Sequence, residues 1–433
     1  MAQRSFLKDI SGVFVSNILA ITSALLVDIL LSRELGPDGR GLYTSVLVVP
    51  LIVTSFVMLG IRRSAVFHLG QKDFDANRIV SGILSLLVIT SILAVMVSGL
   101  VFVVIPPEGL TLPIAMLALL SVPAKLVLVY SGGIYIGTED FKRSNIQVWL
   151  PVFLDLIGIL LFVLLFKWSV NGALLSLFLA NVAVAVFSLS YLFKTYQIRL
   201  SADKVMVWSL AKMGLAYAVA VVVMQLNYRV DILLLQELST MKEVGFYSLG
   251  VAISDKLWQL PSAIGLVVMS RTANVEDTFK LDRDVARLMR ISFLIVLIAA
   301  FVLWLVIPYL LPFIYGQRFA PSIHIVRLML PGIIMFVIVR ILSGRFAGAG
   351  QPKLLILLFV PTLLVNVILN VIWIPSYGGL GAAMATNVSY TLGALGMLVL
   401  FSVKMNISFK DLIVYQRSDF AFLSKVAKRF RGR

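Results

Sequence analysis

Nine ionisable side chains lie inside stretches apolar enough to cross a membrane. Five are cations, Lys125, Arg229, Lys256, Arg327 and Arg340, and four are acids, Asp28, Asp155, Asp231 and Asp255. A charge at the centre of a bilayer costs about 2.5 to 3.5 kcal/mol even on lenient insertion scales. Nine of them cannot all face acyl chains, so they must line protein interior or a wet cavity. Internal ion pairing is the plain reading of each, although Arg229 and Asp231, two residues apart on a helix, point to different sides, as do Asp255 and Lys256. Asp28 and Arg327 fall near span ends, where snorkelling to the headgroups is an alternative. Lys125, Asp155, Lys256 and Arg340 lie deeper and are candidates for a pathway lining. The slight excess of cations, with Arg33 and Arg345 nearby, suits an anion, and arginine can fork onto phosphate or carboxylate.

Two further residues have spacing that carries chemistry. Asn366 and Asn370 are four apart and share one helix face, where they can bond a neighbouring helix or a sugar. His68 and His324 occupy separate segments and form no metal-ligand pattern. Without cysteine, thiolate sites and disulfides are excluded.

The elements that must hold these side chains follow from composition. The chain has 433 residues, 60% of them hydrophobic and only 13% charged, about half the soluble norm of roughly 25%. Its mean hydropathy is +1.01. Such a chain is not a soluble globular protein. Residues 10 to 27, 42 to 61, 79 to 107, 168 to 193, 291 to 317 and 354 to 403 carry no charge, and about 20 apolar residues span the hydrocarbon core as a helix. The last run is split by Pro375 and the glycines at 378 and 379. Twelve spans result, near 10–32, 42–60, 79–104, 111–136, 147–166, 171–193, 213–235, 246–269, 291–315, 321–345, 354–374 and 380–403. The expected fold class is all-α and polytopic, since only helices or closed barrels satisfy their backbones in lipid. The first apolar run has no small-residue cleavage site after it and reads as a span.

With the amino terminus in the cytoplasm, the inner segments carry 27 of the 37 basic residues and the outer connections 5. That bias sets both termini inside, in the cytoplasmic membrane of the cell. The formal net charge of +16 is then membrane electrostatics rather than a nucleic-acid footprint. From Lys404 to Arg433, eight cations mix with Phe409, Leu412, Ile413, Phe420, Leu423 and Phe430, as in an interfacial helix on anionic lipid or a solvated tail that fixes topology.

The chain also repeats itself. Residues 28–35 read DILLSREL and residues 231–238 read DILLLQEL, followed by Gly41-Leu42-Tyr43 and Gly245-Phe246-Tyr247. An even number of spans separates the copies, so two six-helix lobes would enter the membrane in the same direction. The expected division is residues 1–200, 201–404 and a basic tail, 405–433. Weaker echoes pair Gly133 to Lys142 with Gly348 to Lys353, and Asn171-Gly172-Ala173 with Leu380-Gly381-Ala382. Asp231 repeats Asp28, which argues for a structural role at both. No G-x-x-x-x-G-K-[ST] phosphate loop is present, and the outer connections are too short for a catalytic domain.

Residues 344–390, with their Gly-rich opening, the Asn366/Asn370 helix and Ile374-Pro375-Ser376-Tyr377-Gly378-Gly379, resemble the polysaccharide exporters of the multidrug/oligosaccharidyl-lipid/polysaccharide (MOP) superfamily, in the O-antigen flippase (Wzx-type) branch. Leu31 to Pro37 with Gly41-Leu42-Tyr43 is similar to that family's first outer turn, and Ile314 to Phe319 to its segment before the tenth helix. The resemblance implies a flippase that turns polyprenyl-pyrophosphate-linked oligosaccharide from the cytoplasmic to the outer leaflet. Its partners would be lipid-linked oligosaccharide and a bilayer with anionic lipids, without cofactor, metal or nucleic acid, and it would act as a monomer. Two other classes stay open: an ion-coupled drug exporter of the same superfamily, and a membrane glycan polymerase or ligase. A cation-lined interior has the wrong sign for a cationic drug, and the polymerase class is expected to show a long outer loop.

Overall fold

A computed structural model describes residues 2–58, 60–71, 74–198, 204–272, 278–416 and 419, and among these residues the regular elements are all helical. In chain order they are α1 (Ala2–Val57), α2 (Ile61–Gln71), α3 (Ala76–Val104), α4 (Leu112–Gly137), α5 (Phe141–Gly158), α6 (Ser169–Thr195), α7 (Lys204–Leu238), α8 (Met241–Ser254), α9 (Gln259–Thr272), α10 (Thr278–Tyr315), α11 (Ser322–Gly348), α12 (Pro352–Met405) and α13 (Phe409–Ile413). Eight of these stretches are long and apolar enough to cross a membrane. Two are folded back on themselves. Gly36 in α1 has φ 66° and Gly378 in α12 has φ 53°, left-handed values that break the helix at the turns the sequence marks with proline and glycine. The two arms of α1, the two arms of α12, α7 and the α8/α9 segment fall at the remaining expected span positions.

Three departures have physical causes. The eighth span is not one helix: a 3-10 turn, Asp255–Trp258, separates α8 from α9. Pro261, the third residue of α9, offers no N–H and crowds the carbonyl four residues back, so the ladder tightens before it. The short helix α2 escaped the hydropathy reading because it carries Arg62 and Arg63 among few apolar residues. Helices α7 and α10 begin well before their apolar stretches, because a helix continues into polar surroundings while its residues favour it.

The chain forms two compact units, Met1–Gly245 with Phe313–Phe319, and Phe246–Pro312 with Ala320–Arg433. In the first, α1 packs on α5 and α7, and α4 on α6. Val27, Leu31, Ile159, Val163 and Ala173 form a buried cluster beside the Gly36 turn of α1. In the second, α11 packs against α9 and α12, and Trp258, Phe336 and Tyr390 stack with ring centroids 4.4 to 5.4 Å apart. Exposed apolar side chains such as Ile92, Met96 and Val103 on α3 and Phe301 and Tyr309 on α10 make the lipid-ready outer faces.

Both copies of the repeated phrase end in the first unit, and the turns after them touch reciprocally. A Cβ on Gly41 would overlap the Met241 carbonyl oxygen and lie 2.8 Å from its carbon, while one on Gly245 would overlap the Pro37 carbonyl oxygen and lie 2.7 Å from its carbon. Gly41 and Gly245 are 204 residues apart, as are Pro37 and Met241, so the contact is self-complementary in the manner of a two-fold interface. A second echo is seen within each unit: Gly133 and Gly137 of α4 lie against the backbone of α2, and Gly344 and Gly348 of α11 against the backbone of α9.

Candidate functional site

The first unit holds a cavity of about 330 Å³ walled by the second arm of α1, α4, α6 and α7. Its polar wall consists of Tyr43, Thr44, Thr54, Ser121, Lys125, Asn181 and Arg229 in an otherwise apolar lining. Pro123 lies two residues before Lys125 and removes a backbone donor from α4 there. Lys125 also walls a second cavity of about 200 Å³, with Arg62 of α2 and Ser144 and Gln147 of α5. Along α4 the larger cavity meets Ser121 to Lys125 and the smaller one Lys125 to Gly132. Asp155 of α5 is buried, its carboxylate accepts a hydrogen bond from the Ser176 hydroxyl at 2.6 Å, and it attracts the Lys125 ammonium. The structure therefore gathers Lys125 and Arg229 around one hollow, with Asp155 behind Lys125.

Asp28 is placed differently. Its carboxylate binds the Arg40 guanidinium at 2.8 Å across the Gly36 turn and accepts the Tyr315 hydroxyl at 3.1 Å, and Arg40 also bonds Ser32. Arg33 donates to the carbonyl oxygens of Phe313 and Ile314 at the end of α10, orphan acceptors that a cation fits. Asp231 is buried on α7 and accepts from the Ile232 amide at 2.8 Å.

In the second unit, Asp255 and the exposed Lys256 sit on the 3-10 turn. Arg340 of α11 lies over the Trp258 ring at 4.5 Å, a cation–π contact at the end of that same turn. Arg327 lies over Trp304 at 4.5 Å and donates to its carbonyl oxygen at 3.1 Å. Thirteen residues of α11 separate the two arginines, roughly 20 Å of helix. Arg327 and Arg340 are thus not neighbours. Asn366 and Asn370 are fully buried: the Asn370 amide donates to the Asn366 side-chain oxygen and backbone carbonyl, each at 2.9 Å, and Asn366 donates to Ser389 at 3.1 Å.

Several important residues escaped the sequence reading. Arg40, Arg62 and Arg290 all lie in segments counted as loops or inner ends, where a cation needs no explanation. For Arg40 a signal was present: the Gly36-Pro37 turn between it and Asp28 folds the two arms side by side. Arg290 of α10 forms a two-pronged pair with Asp419, both bonds 2.8 Å, fastening the segment after α13. The basic tail beyond Gln416 is otherwise outside the described residues, and with it Phe420, Leu423 and Phe430.

Comparison with known proteins gives this arrangement a family. A match to the description "Polysaccharide biosynthesis protein" runs over residues 6–269. The chain belongs to the polysaccharide biosynthesis protein family. An uncharacterized membrane protein of Methanocaldococcus jannaschii is 22% identical over 93% of this chain and 100% of its own length. A putative O-antigen transporter of Shigella flexneri is 23% identical over 84% of this chain and 90% of its own. Among solved structures, an inward-facing multidrug resistance transporter of the MOP superfamily superposes with a TM-score of 0.71 at 16% identity, covering 89% of this chain and 94% of the other. The lipid II flippase MurJ in an inward closed conformation gives 0.69 at 17% identity, with 97% and 96% covered. This member of the family is accordingly a multi-pass, all-α membrane protein with the fold of the MOP-superfamily transporters.

Proposed function

We propose that the protein is a flippase that carries polyprenyl-pyrophosphate-linked oligosaccharide from the cytoplasmic to the outer leaflet by alternating access of two six-helix lobes, for cell-surface polysaccharide synthesis. The observation that carries this reading is the hollow of the first unit, where Lys125 and Arg229 stand in an apolar wall that a lipid-borne headgroup can approach. Two cations match a pyrophosphate, and in a poorly hydrated setting each charge-assisted hydrogen bond is about twice as strong as a neutral one. Family membership and the putative O-antigen transporter among its relatives support the substrate class. Lys256, Arg327 and Arg340 are assigned to the other lobe's share of the pathway, Asp155 to balancing Lys125, Asp28, Asp231 and Asp255 to ion pairing or coupling, and Asn366 and Asn370 to packing or sugar contact. Both termini lie in the cytoplasm.

The membrane potential supplies direction. A headgroup of charge near −2 moved outward, down an inside-negative potential, is favoured by about 4 to 5 kcal/mol per 100 mV, from about 2.3 per charge. The drug-exporter alternative fares worse, because a cationic drug would be repelled by the wall that Lys125 and Arg229 build. The test is transfer of a fluorescent polyprenyl-pyrophosphate glycan across reconstituted vesicles, with Lys125→Gln and Arg229→Gln variants and an imposed potential. Slower transfer in both variants, by about tenfold or more for a lost charge-assisted contact, and faster outward transfer at inside-negative potential are expected. Transfer indifferent to both variants, in protein that still inserts, rejects the reading.

A further inference from the structure

Gln147, in the wall of the smaller cavity, carries a buried acceptor with nothing to accept from. The Gln147 amide nitrogen donates to the Ser131 hydroxyl at 2.6 Å and to the Ser188 hydroxyl at 2.8 Å. Each of those hydroxyls has already committed its one proton to its own helix, Ser131 to the Val127 carbonyl at 2.6 Å and Ser188 to the Val184 carbonyl at 2.8 Å. Both serines can therefore only accept. With the hydroxyl protons so placed, the amide turns its nitrogen to the serines and its oxygen to the other side. The oxygen Oε1 is buried and has no hydrogen-bond partner. A buried acceptor left so costs about 1 to 3 kcal/mol. Gly132 lies beside it, and a Cβ there would come within 3.1 Å of Oε1. Arg62, Lys125 and Ser144 complete the polar wall of this cavity of about 200 Å³.

From this we infer that the cavity between α2, α4 and α5 is a binding subsite for a glycosyl phosphate, in which Gln147 Oε1 accepts a hydrogen bond from a sugar hydroxyl or acylamino N–H while Arg62 and Lys125 hold the phosphate. The inference rests on the flippase reading and deepens it. It names the part of the headgroup that is inspected, the first sugar with its phosphate, and the residue that inspects it. A phosphate monoester without hydroxyl groups, such as methyl phosphate, satisfies the two cations but as a dianion brings no donor to Gln147. A sugar phosphate satisfies all three. Discrimination by a lost hydrogen bond to a buried neutral group is about tenfold.

The test is binding to the full-length protein in detergent by isothermal titration calorimetry at about pH 8, where a phosphate monoester is a dianion, with N-acetylglucosamine 1-phosphate and methyl phosphate as the two probes. The expected result is about tenfold tighter binding of the sugar phosphate to the unaltered protein. Gln147→Met should abolish that advantage and leave phosphate binding in place, and Arg62→Gln should weaken both probes. Because Gln147→Met also unties Ser131 and Ser188, Gly132→Ala is the companion variant: it keeps those bonds, crowds Oε1, and should lower sugar-phosphate affinity alone. Equal affinity for the two probes, no binding of either, or an advantage that survives both variants overturns the subsite. Transport failing in vesicles while sugar-phosphate binding behaves as expected would overturn the flippase reading and leave the subsite standing.

Discussion

Substituting alanine at Gly41 and at Gly245 tests whether the two copies of the repeated phrase are mechanically joined. At Gly41 the new methyl group would meet the Met241 carbonyl, 2.8 Å from its carbon and inside contact with its oxygen, and would stand 3.1 Å from the Gly245 nitrogen. Restoring ordinary contact at 3.4 Å with the carbon alone requires a retreat of 0.6 Å, and the oxygen demands more. The listener on the other side is backbone, which cannot swing away as a side chain can. Overpacking of this kind costs about 1 to 3 kcal/mol, with the upper end fitting a backbone obstacle. Gly245→Ala meets the Pro37 carbonyl in the same way and should cost a similar amount. The two costs should not add. Once one methyl group has pushed the turns apart, the second enters space already opened, so the double variant should be more stable than the sum of the singles by about 0.5 to 3 kcal/mol. Thermal unfolding in detergent, read by the loss of the monodisperse peak in size-exclusion chromatography, measures all four members of the cycle. Single variants as stable as the unaltered protein, or a double variant whose loss equals the sum, refute the reciprocal contact.

Three other outcomes follow from the geometry. Asp282 and Arg345 form a buried pair at 2.5 Å, so Asp282→Asn or Arg345→Gln alone strands a charge and should cost about 3 to 5 kcal/mol in unfolding free energy, with the double substitution costing less than the sum of the two singles; unaltered melting of either single variant contradicts this. Burial raises the Asp419 carboxyl, but hydrogen bonds from Arg290 and the Gln416 amide and the charges of Arg290 and Arg287 outweigh it, leaving it below the ordinary carboxylate range. Its stabilisation of the segment after α13 is therefore complete above about pH 3.9 and lost as pH falls through the depressed value; hydrogen exchange at residues 407–416 should accelerate only in that acid window, and at neutral pH in Arg290→Gln. Asn366→Ala should destabilise by about 1 to 3 kcal/mol by leaving the Asn370 amide short of an acceptor; transport per folded molecule that stays normal assigns the pair to packing, and transport lost from fully stable protein assigns it to sugar contact.

Much of the architecture could be read from hydropathy because a bilayer leaves the backbone few choices. The kinks at Gly36 and Gly378 were legible for the same reason, since proline and glycine constrain their own neighbours. The turn at Asp255–Trp258 was not, although Pro261 is in plain view: a proline three residues into a helix is ordinary, and only the adjoining charges distinguish this one. What the amino-acid order conceals is pairing through space. Asp28 and Asp231 look like twins, yet Asp28 meets Arg40 across its own turn and Tyr315 at the end of α10, while Asp231 lies buried along α7. Gln147 was invisible altogether, because its meaning comes from two serines on other helices whose protons are spent on their own carbonyls.

The cations sort themselves by what they touch, and the sorting has consequences for a moving substrate. Arg40, Arg345 and Arg290 each face a carboxylate at 2.5 to 2.8 Å. A phosphate could recruit them only by breaking a pair whose remaining carboxylate would then be stranded, and that cost exceeds what a single new contact returns. Arg327 and Arg340 instead lie on indole faces. Such a contact holds the guanidinium by its plane, and Arg327 also spends its Nε on the Trp304 carbonyl oxygen. Lys125 differs from all of these: it borders both hollows of the first unit, and its acid, Asp155, is itself bonded to Ser176. In the proposed function, an ammonium on a flexible stem that borders both hollows serves a phosphate first on the Arg62 side and then on the Arg229 side. A bidentate arginine would hold the anion in one place, whereas a lysine here binds it without fixing its orientation, which is what passage requires.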